Sequence, residues 1–113
     1  MHQMKLNPDP FLKIANGTKT IELRLNDDKR RLIKVGDYIE FTNVENGEKK
    51  IQVKVVNLHR FKSFEELYSV LPLDKCGYST QELNTAVYTD MEKYYTKEDQ
   101  NKYGVLGVEI VLI

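Results

Sequence analysis

The sequence predicts an α+β fold in which helices cover one end or side of a mixed, curled sheet. Three observations predict it. The run Thr20–Leu25 alternates polar and apolar residues at the two-residue period of a strand. Ser63 and Ser79 each open a stretch with helix-start signals. The apolar, β-branched run Val105–Ile113 comes last, so it has to pair with strands distant in sequence, which makes the sheet mixed.

The elements follow in order. Asp9 and Pro10 offer a cap and a first-turn proline, Phe11 and Ile14 lie three apart, and Gly17 offers a left-handed stop, which predicts a two-turn helix over about 10–16. In the strand over Thr20–Leu25, Ile21, Leu23 and Leu25 point inward, and Thr20, Glu22 and Arg24 share the opposite face. A charged connection over 26–33 leads through Val35-Gly36-Asp37 into a second strand around Tyr38–Thr42. Asn46-Gly47 predicts a type I′ hairpin, whose two central residues need positive φ. The return strand, from Lys49 to about His59, buries Ile51, Val53 and Val55 and then changes phase at Val56 and Leu58, the mark of a bulge.

Ser63-Phe64-Glu65-Glu66 is a capping box that opens a helix ended by Pro72, and Ser79 with Glu82 repeats the device. The second box precedes a longer helix expected over about 80–94. Leu83, Ala86, Val87 and Met91 form its apolar stripe, broadened by Tyr88, Tyr94 and Tyr95 and read as core. Val105–Ile113 is apolar on both faces and is therefore expected inside the sheet, not at its edge.

The 113 residues are 41% hydrophobic, with seven Tyr and four Phe, which suits one domain over 1–113 without metal or disulfide staples. No apolar stretch approaches the about 18 residues a membrane span needs. The N-terminal MHQMKLNPDP lacks the apolar core of a signal peptide, so the chain reads as cytoplasmic. One cysteine, Cys76, with His2 and His59 supplies neither a disulfide nor the spaced pairs of a zinc site, so no metal and no cofactor is expected. The Cys76 thiol is read as a packing residue in preference to a nucleophile paired with His59.

Seventeen basic and seventeen acidic residues cancel, but unevenly. Residues 1–62 hold 13 basic against 8 acidic side chains and residues 63–113 hold 4 against 9, so the halves carry +5 and −5. The positive charge gathers in Lys29-Arg30-Arg31 with Lys34, and in Lys49, Lys50, Lys54, Arg60 and Lys62. Such a face attracts a phosphate-bearing polymer, because bound cations release its counterions; it equally suits a solvated surface paired with the acidic half.

The densest polar constellation is Gly17-Thr18-Lys19-Thr20-Ile21-Glu22-Leu23-Arg24. A single glycine cannot make the phosphate cradle of the common nucleotide hydrolases. Strand alternation instead projects Glu22 and Arg24 together, with Lys19 at the strand mouth. A carboxylate flanked by two cations stays ionised. The cluster can hold a base edge through Glu22 and a phosphate through Lys19 or Arg24, or it can be an ion-paired sheet face. Elsewhere, Arg30 and Arg31 offer guanidinium forks for phosphate, and Tyr38, Tyr78 and Tyr103 offer rings for base stacking, Tyr103 foremost. His59, at the end of the basic strand, is read as a surface histidine ahead of a phosphate contact.

The run G-T-K-T-I-E-L-R-L, followed by D-K-R-R-L-I-K-V-G-D-Y-I-E-F and by Y-G-V-L-G-V-E-I, resembles the ASCH domain, the activating-signal-cointegrator homology family with its G-x-K-x-x-E-x-R signature. The likeness runs from about Pro10 to Ile113. It implies a PUA-like fold, a mixed β-barrel with flanking helices, and a cleft that binds RNA or a nucleotide and is lined at the signature positions Lys19, Glu22 and Arg24. In one bacterial branch of the family a lysine, a threonine and a glutamate hydrolyse N-acetylated cytidine. The lysine matches Lys19, but the threonine position is Glu22 here.

Two functions from different classes follow. The first is an RNA- or nucleotide-binding module, with Lys19, Glu22 and Arg24 in the cleft, Arg30, Arg31, Lys49, Lys50 and Lys54 on phosphates and Tyr103 on a base. The second is an amidohydrolase or nuclease acting on a modified nucleoside or RNA, with Lys19 and Glu22 as base or electrostatic stabiliser and Thr20 as nucleophile. A protein partner on the acidic half, Ser63–Asn101, is a third expectation.

Overall fold

Apolar side chains two residues apart at Met4 and Leu6, Ile39 and Phe41, Val53 and Val55, and Leu106, Val108 and Ile110 give four segments one buried face each. In the computed structural model, which describes residues 1–113, these faces meet inside a curled five-stranded half-barrel. The strands are β1 (His2–Leu6), β2 (Ile21–Leu25), β3 (Tyr38–Asn43), β4 (Lys50–Phe61) and β5 (Val105–Leu112), in the order β1-β3-β4-β5-β2. β1 runs parallel to β3 and every other pair is antiparallel. Helix α1 (Pro8–Ala15) adds Phe11 and Ile14 to the interior cluster. The architecture is α+β, as the element order implies.

A second apolar cluster lies on the other side of β2. Ile21, Leu23 and Leu25 pack there with Val105, Cys76 and Phe64, Leu67 and Leu71, the last three from α2 (Phe64–Val70) and the residue that follows it. Gly107 permits this layer to sit close, since a Cβ there would lie 2.8 Å from Leu71 Cδ1. The expected inward residues of β2 are thus buried under helices, and the face carrying Glu22 and Arg24 turns toward the half-barrel interior. β2 is covered on both sides, which alternation alone does not reveal.

β5 lies between β4 and β2, as its two apolar faces require. The phase change at Val56 is a bulge, with the β4–β5 register shifting between Val55 and Asn57. Ser63 caps α2 by accepting from the Glu66 amide at 3.2 Å. Gly17 has φ +81 just past α1.

Other expectations are corrected. β1 has no counterpart in the sequence reading, because five residues that end at an Asn-Pro turn carry only Met4 and Leu6 as signal. Helix α1 starts at Pro8, two residues early, with Asn7 at the cap making no side-chain bond. The Asn46-Gly47 turn is not type I′: neither residue has positive φ. Asn46 instead accepts twice, from the Lys49 amide through its carbonyl and from the Glu48 amide through its side chain, and that self-bonding competes with the left-handed turn.

The long helix over 80–94 does not form. Two 3-10 turns, Glu82–Thr85 and Tyr88–Lys93, are separated by extended Ala86 and Val87. The stretch is rich in Thr, Asn, Val and Tyr, poor helix formers, and the Asp90 carboxylate fixes the break by accepting from the Val87 amide at 3.3 Å and from the Tyr78 hydroxyl at 2.8 Å. The Ser79–Glu82 reciprocal cap does form, at 2.9 and 3.2 Å, but opens only a single turn. Of the supposed core stripe, Leu83, Val87 and Tyr94 are exposed. A further helix, α3 (Lys97–Tyr103), capped by Thr96, follows where the sequence reading placed none. No helix is long and apolar enough to cross a membrane.

Candidate functional site

The polar face of β2 is aimed by its register. Glu22 lies opposite Val108 and Arg24 opposite Leu106, and directly opposed residues of antiparallel strands share a face. Both partners belong to the interior cluster. Glu22 and Arg24 therefore fill the seam where the half-barrel is open, between β2 and β1. The seam is bridged by a side chain, since Arg24 donates through Nη2 to the Lys5 carbonyl at 2.8 Å.

Lys19 enters from the turn after α1. Gly17 reverses the chain, and the Lys19 amide donates to the Lys13 carbonyl at 3.0 Å, which brings the side chain back along β2. Lys19 Nζ then lies 2.8 Å from Glu22 Oε1, while Arg24 Nε lies 2.8 Å from Glu22 Oε2. The three side chains are only 11%, 5% and 14% exposed, so the triad is a buried two-cation, one-anion cluster with net positive charge. Gly77 completes its wall. Its φ of +108 brings backbone against the lysine stem, where a Cβ would lie 3.2 Å from Lys19 Cδ.

This triad floors a cleft of about 700 Å³. Five cations, Lys5, Lys13, Lys19, Arg24 and Lys93, line it against three carboxylates, Asp9, Glu22 and Glu82. Lys13 ties its two sides together, donating to the Gly77 carbonyl at 2.7 Å and pairing with Asp9 and Glu82 at 3.3 and 3.4 Å. Tyr94 and Tyr95 form an aromatic wall. Tyr95 is stacked on Phe64 with centroids 5.6 Å apart, whereas Tyr94, its ring tilted against Tyr95 at 6.5 Å, is 66% exposed.

Electrostatics fix the protonation of the floor. Burial disfavours the Glu22 carboxylate, but Lys19 and Arg24 outweigh it by charge and hydrogen bonding and hold its pKa below the ordinary value of 4.5. Burial likewise opposes the Arg24 charge, and Glu22 more than restores it. Glu22 is thus acceptor-only at neutral pH and a weak general base. Burial pushes the Cys76 thiol up to about 12, against the pull of Lys19, so the one thiol on the cleft wall is protonated.

The structure brings Lys19, Glu22, Arg24 and Tyr78 together in the cleft and separates the other candidates. Thr20 is outside the cleft lining; its amide donates to the Lys75 carbonyl at 2.9 Å and its carbonyl accepts from Ile110. Arg30 is folded onto Asp27, with its side chain 3.3 Å away and largely buried. Arg31 lies against Tyr103, its guanidinium carbon 5.9 Å from the ring centroid. Lys49 precedes β4, and Lys50 and Lys54 are on the outer face of β4, opposite to buried Val53 and Val55. Tyr78 hydrogen-bonds Tyr68 and Asp90, and His59 pairs with Glu109 at 3.0 Å. Tyr38 is exposed beside Lys54.

Sequence reasoning missed Lys13, Gly77, Tyr94 and Tyr95. The tyrosines belong to an apolar stripe whose helical spacing suggests core, and the signal against that reading is the run of poor helix formers around them. No group of three or more His, Cys, Asp or Glu side chains is placed to hold a metal ion.

The family model described as the ASCH domain matches residues 4–113. No curated protein matches the chain. Among solved structures, the hypothetical protein PH0355 is 34% identical, with a TM-score of 0.80 over 98% of this chain and 97% of that one. Protein PF0455 from Pyrococcus furiosus is 32% identical, with a TM-score of 0.71 over 99% and 96%. The ASCH protein of Zymomonas mobilis, 15% identical, shares the fold at a TM-score of 0.66, over 96% of this chain and 65% of that one.

Proposed function

The chain belongs to the ASCH family, which has a PUA-like fold and is generally linked to RNA binding, and from that premise we propose that it binds single-stranded RNA or a nucleotide in the cleft floored by Lys19, Glu22 and Arg24. The observation that carries the reading is the buried, ionised carboxylate of Glu22 held between two cations in a cleft that exposed Tyr94 also lines. Glu22 accepts from the amino edge of a base, Tyr94 stacks on its face, and the cationic excess of the lining draws the phosphate. Residues 1–113 act as one domain in this reading, and an RNA partner implies a cytoplasmic location.

The hydrolytic alternative has less support. Its nucleophile Thr20 is not among the lining residues, Cys76 is a protonated thiol, and a carboxylate with a depressed pKa is a poor base for activating water.

The test is Tyr94→Ala, a change at a ring exposed enough to leave folding intact. Fluorescence anisotropy with a labelled single-stranded RNA, with product followed in the same samples, should show binding weakened about tenfold and no turnover by either protein. Equal affinity of the two proteins removes Tyr94 from the site. Release of a cleaved product by the wild type, lost in Lys19→Ala, replaces the binding reading by the hydrolytic one.

A further inference from the structure

A second cationic site lies at the far end of β2. β4 and α3 end side by side there, and an open groove of about 660 Å³ runs between them. Arg60 and Lys62 line one wall, Lys102 and Tyr103 the other. The Asn26 amide, just past β2, donates to the Gly104 carbonyl at 2.9 Å beside this groove. The five residues of β2, about 17 Å of extended chain, separate it from the Lys19 end of the cleft.

The cations that line this groove are free of ion pairs, unlike most of those around the cleft floor. Lys13, Lys19, Arg24, Arg30, Arg31 and Lys50 all have carboxylate partners within 4.0 Å, whereas the groove-lining Arg60, Lys62 and Lys102 have none. Glu66 is the single carboxylate along the groove. Two cations also crowd one ring, Lys102 Nζ at 5.0 Å and the Arg31 guanidinium carbon at 5.9 Å from the Tyr103 centroid. Arg31 is held in place by donating to the carbonyls of Asn26 and Tyr103, at 3.0 and 3.3 Å. Three unpaired cations are thus arranged around a shallow channel, with Arg31, paired to Asp28 at 3.9 Å, at its side. Arg60 lies near the end of β4 and Lys62 just past it, two residues on and about 6.6 Å away along extended chain, so the positive charge is repeated along a line and does not converge on one point.

We propose that this groove is a second RNA contact, a track for the phosphodiester backbone of a single strand, engaged by Arg60, Lys62 and Lys102 with Arg31 at its side. The proposal rests on RNA as the partner, but not on the cleft as its seat. A mononucleotide is too short to reach both places, so the groove adds affinity only for an oligomer. An open channel with spaced cations holds a backbone whatever its bases, so the groove contributes affinity and salt dependence and the cleft contributes base preference.

The test compares wild type with Lys62→Ala/Lys102→Ala, two exposed side chains. Isotope-labelled protein is titrated with a uridylate octamer, with uridine monophosphate and with an oligoglutamate peptide, and octamer affinity is measured across salt. The expected result is amide shifts at Arg60–Lys62 and Lys102–Gly104 with the octamer and not with the monophosphate. In the double variant, octamer binding should weaken about tenfold and its log–log salt slope should become shallower by about 1.4, the value for two lost phosphate contacts. Octamer shifts confined to the cleft, with an unchanged slope, overturn the groove and leave the cleft standing. Shifts confined to the groove uphold it and overturn the cleft reading. No shift at either place overturns both. Groove shifts as strong with oligoglutamate as with the octamer overturn the RNA assignment in favour of an acidic protein.

Discussion

Glu22→Gln isolates the electrostatics of the cleft floor, because it removes one charge and almost no volume. In the wild type the carboxylate, 5% exposed, has Lys19 Nζ at 2.8 Å on one oxygen and Arg24 Nε at 2.8 Å on the other. The amide retains one acceptor oxygen, while its NH2 group faces a cation. Two positive groups about 6 Å apart repel by about 3 kcal/mol at an effective dielectric of ~20. Removing one partner of a buried ion cluster commonly costs about 3–5 kcal/mol, so a loss of about 3 kcal/mol is expected. Urea unfolding at pH 7 reads it, as a midpoint lowered with an unchanged slope.

The pH dependence supplies an independent check. Glu22 has a folded-state pKa below 4.5, so its stabilisation is fully present above about that pH and is lost as pH falls through the depressed folded value. Asp37 and Glu82 are shifted the same way, but are common to both proteins and cancel in the difference. The gap between wild type and variant should therefore be constant near neutrality and close in acid. A loss under about 1 kcal/mol at pH 7, or a gap that widens in acid, would falsify the description of Glu22 as an ionised, doubly paired carboxylate.

Three other outcomes are expected. Gly77→Ala forces a side chain onto φ +108 and a Cβ within 3.2 Å of the Lys19 stem, and should cost about 1–3 kcal/mol in urea unfolding and weaken nucleotide binding; full stability with full affinity contradicts the close packing of Gly77 on Lys19. Tyr78→Phe removes the hydroxyl that accepts from Tyr68 at 2.6 Å and donates to Asp90 at 2.8 Å. It should cost about 1–2 kcal/mol and speed amide exchange at Val87 through Lys93, with unchanged exchange counting against the network as the anchor of that segment. Native Cys76, buried and with its thiol pushed up to about 12, should resist iodoacetamide at pH 8 and react at once in denaturant; rapid native labelling contradicts its burial.

What was readable in the sequence follows from how local each signal is. The signature strand, the phase change at Val56, the Ser63 cap and the two-faced burial of β5 are properties of a few neighbouring side chains, and each recurs in the structure, the last as far as Ile110, beyond which Val111, Leu112 and Ile113 are exposed. The cluster of Lys19, Glu22 and Arg24 was legible because a strand fixes which residues share a face. That this face turns into the half-barrel seam depends on β5 and on the Lys5 carbonyl, which no pattern within Ile21–Leu25 encodes. The segment from Ser79 to Tyr95 misled for the opposite reason. Its apolar spacing suits a helix, but Asp90 finds Tyr78 and Val87 as partners and holds it in short turns, so that Tyr94 is exposed and faces the cleft.

The position of β5 bears on how the protein is made. β5 is the last strand in the chain but lies between β4 and β2, so β2 has no ladder partner until β5 has been synthesised. At about 5–20 residues per second, the ribosome takes several seconds to add the stretch between β2 and β5. Through that interval Ile21, Leu23 and Leu25 lack their backbone ladder, and Glu22 has its cations without the wall that excludes water from them. The β1–β3–β4 unit can form early, but the cleft floor cannot. A nascent chain halted before Val105 should therefore hold a partial sheet and bind no RNA at the Lys19 cluster, and the ability to bind should arise in one late step.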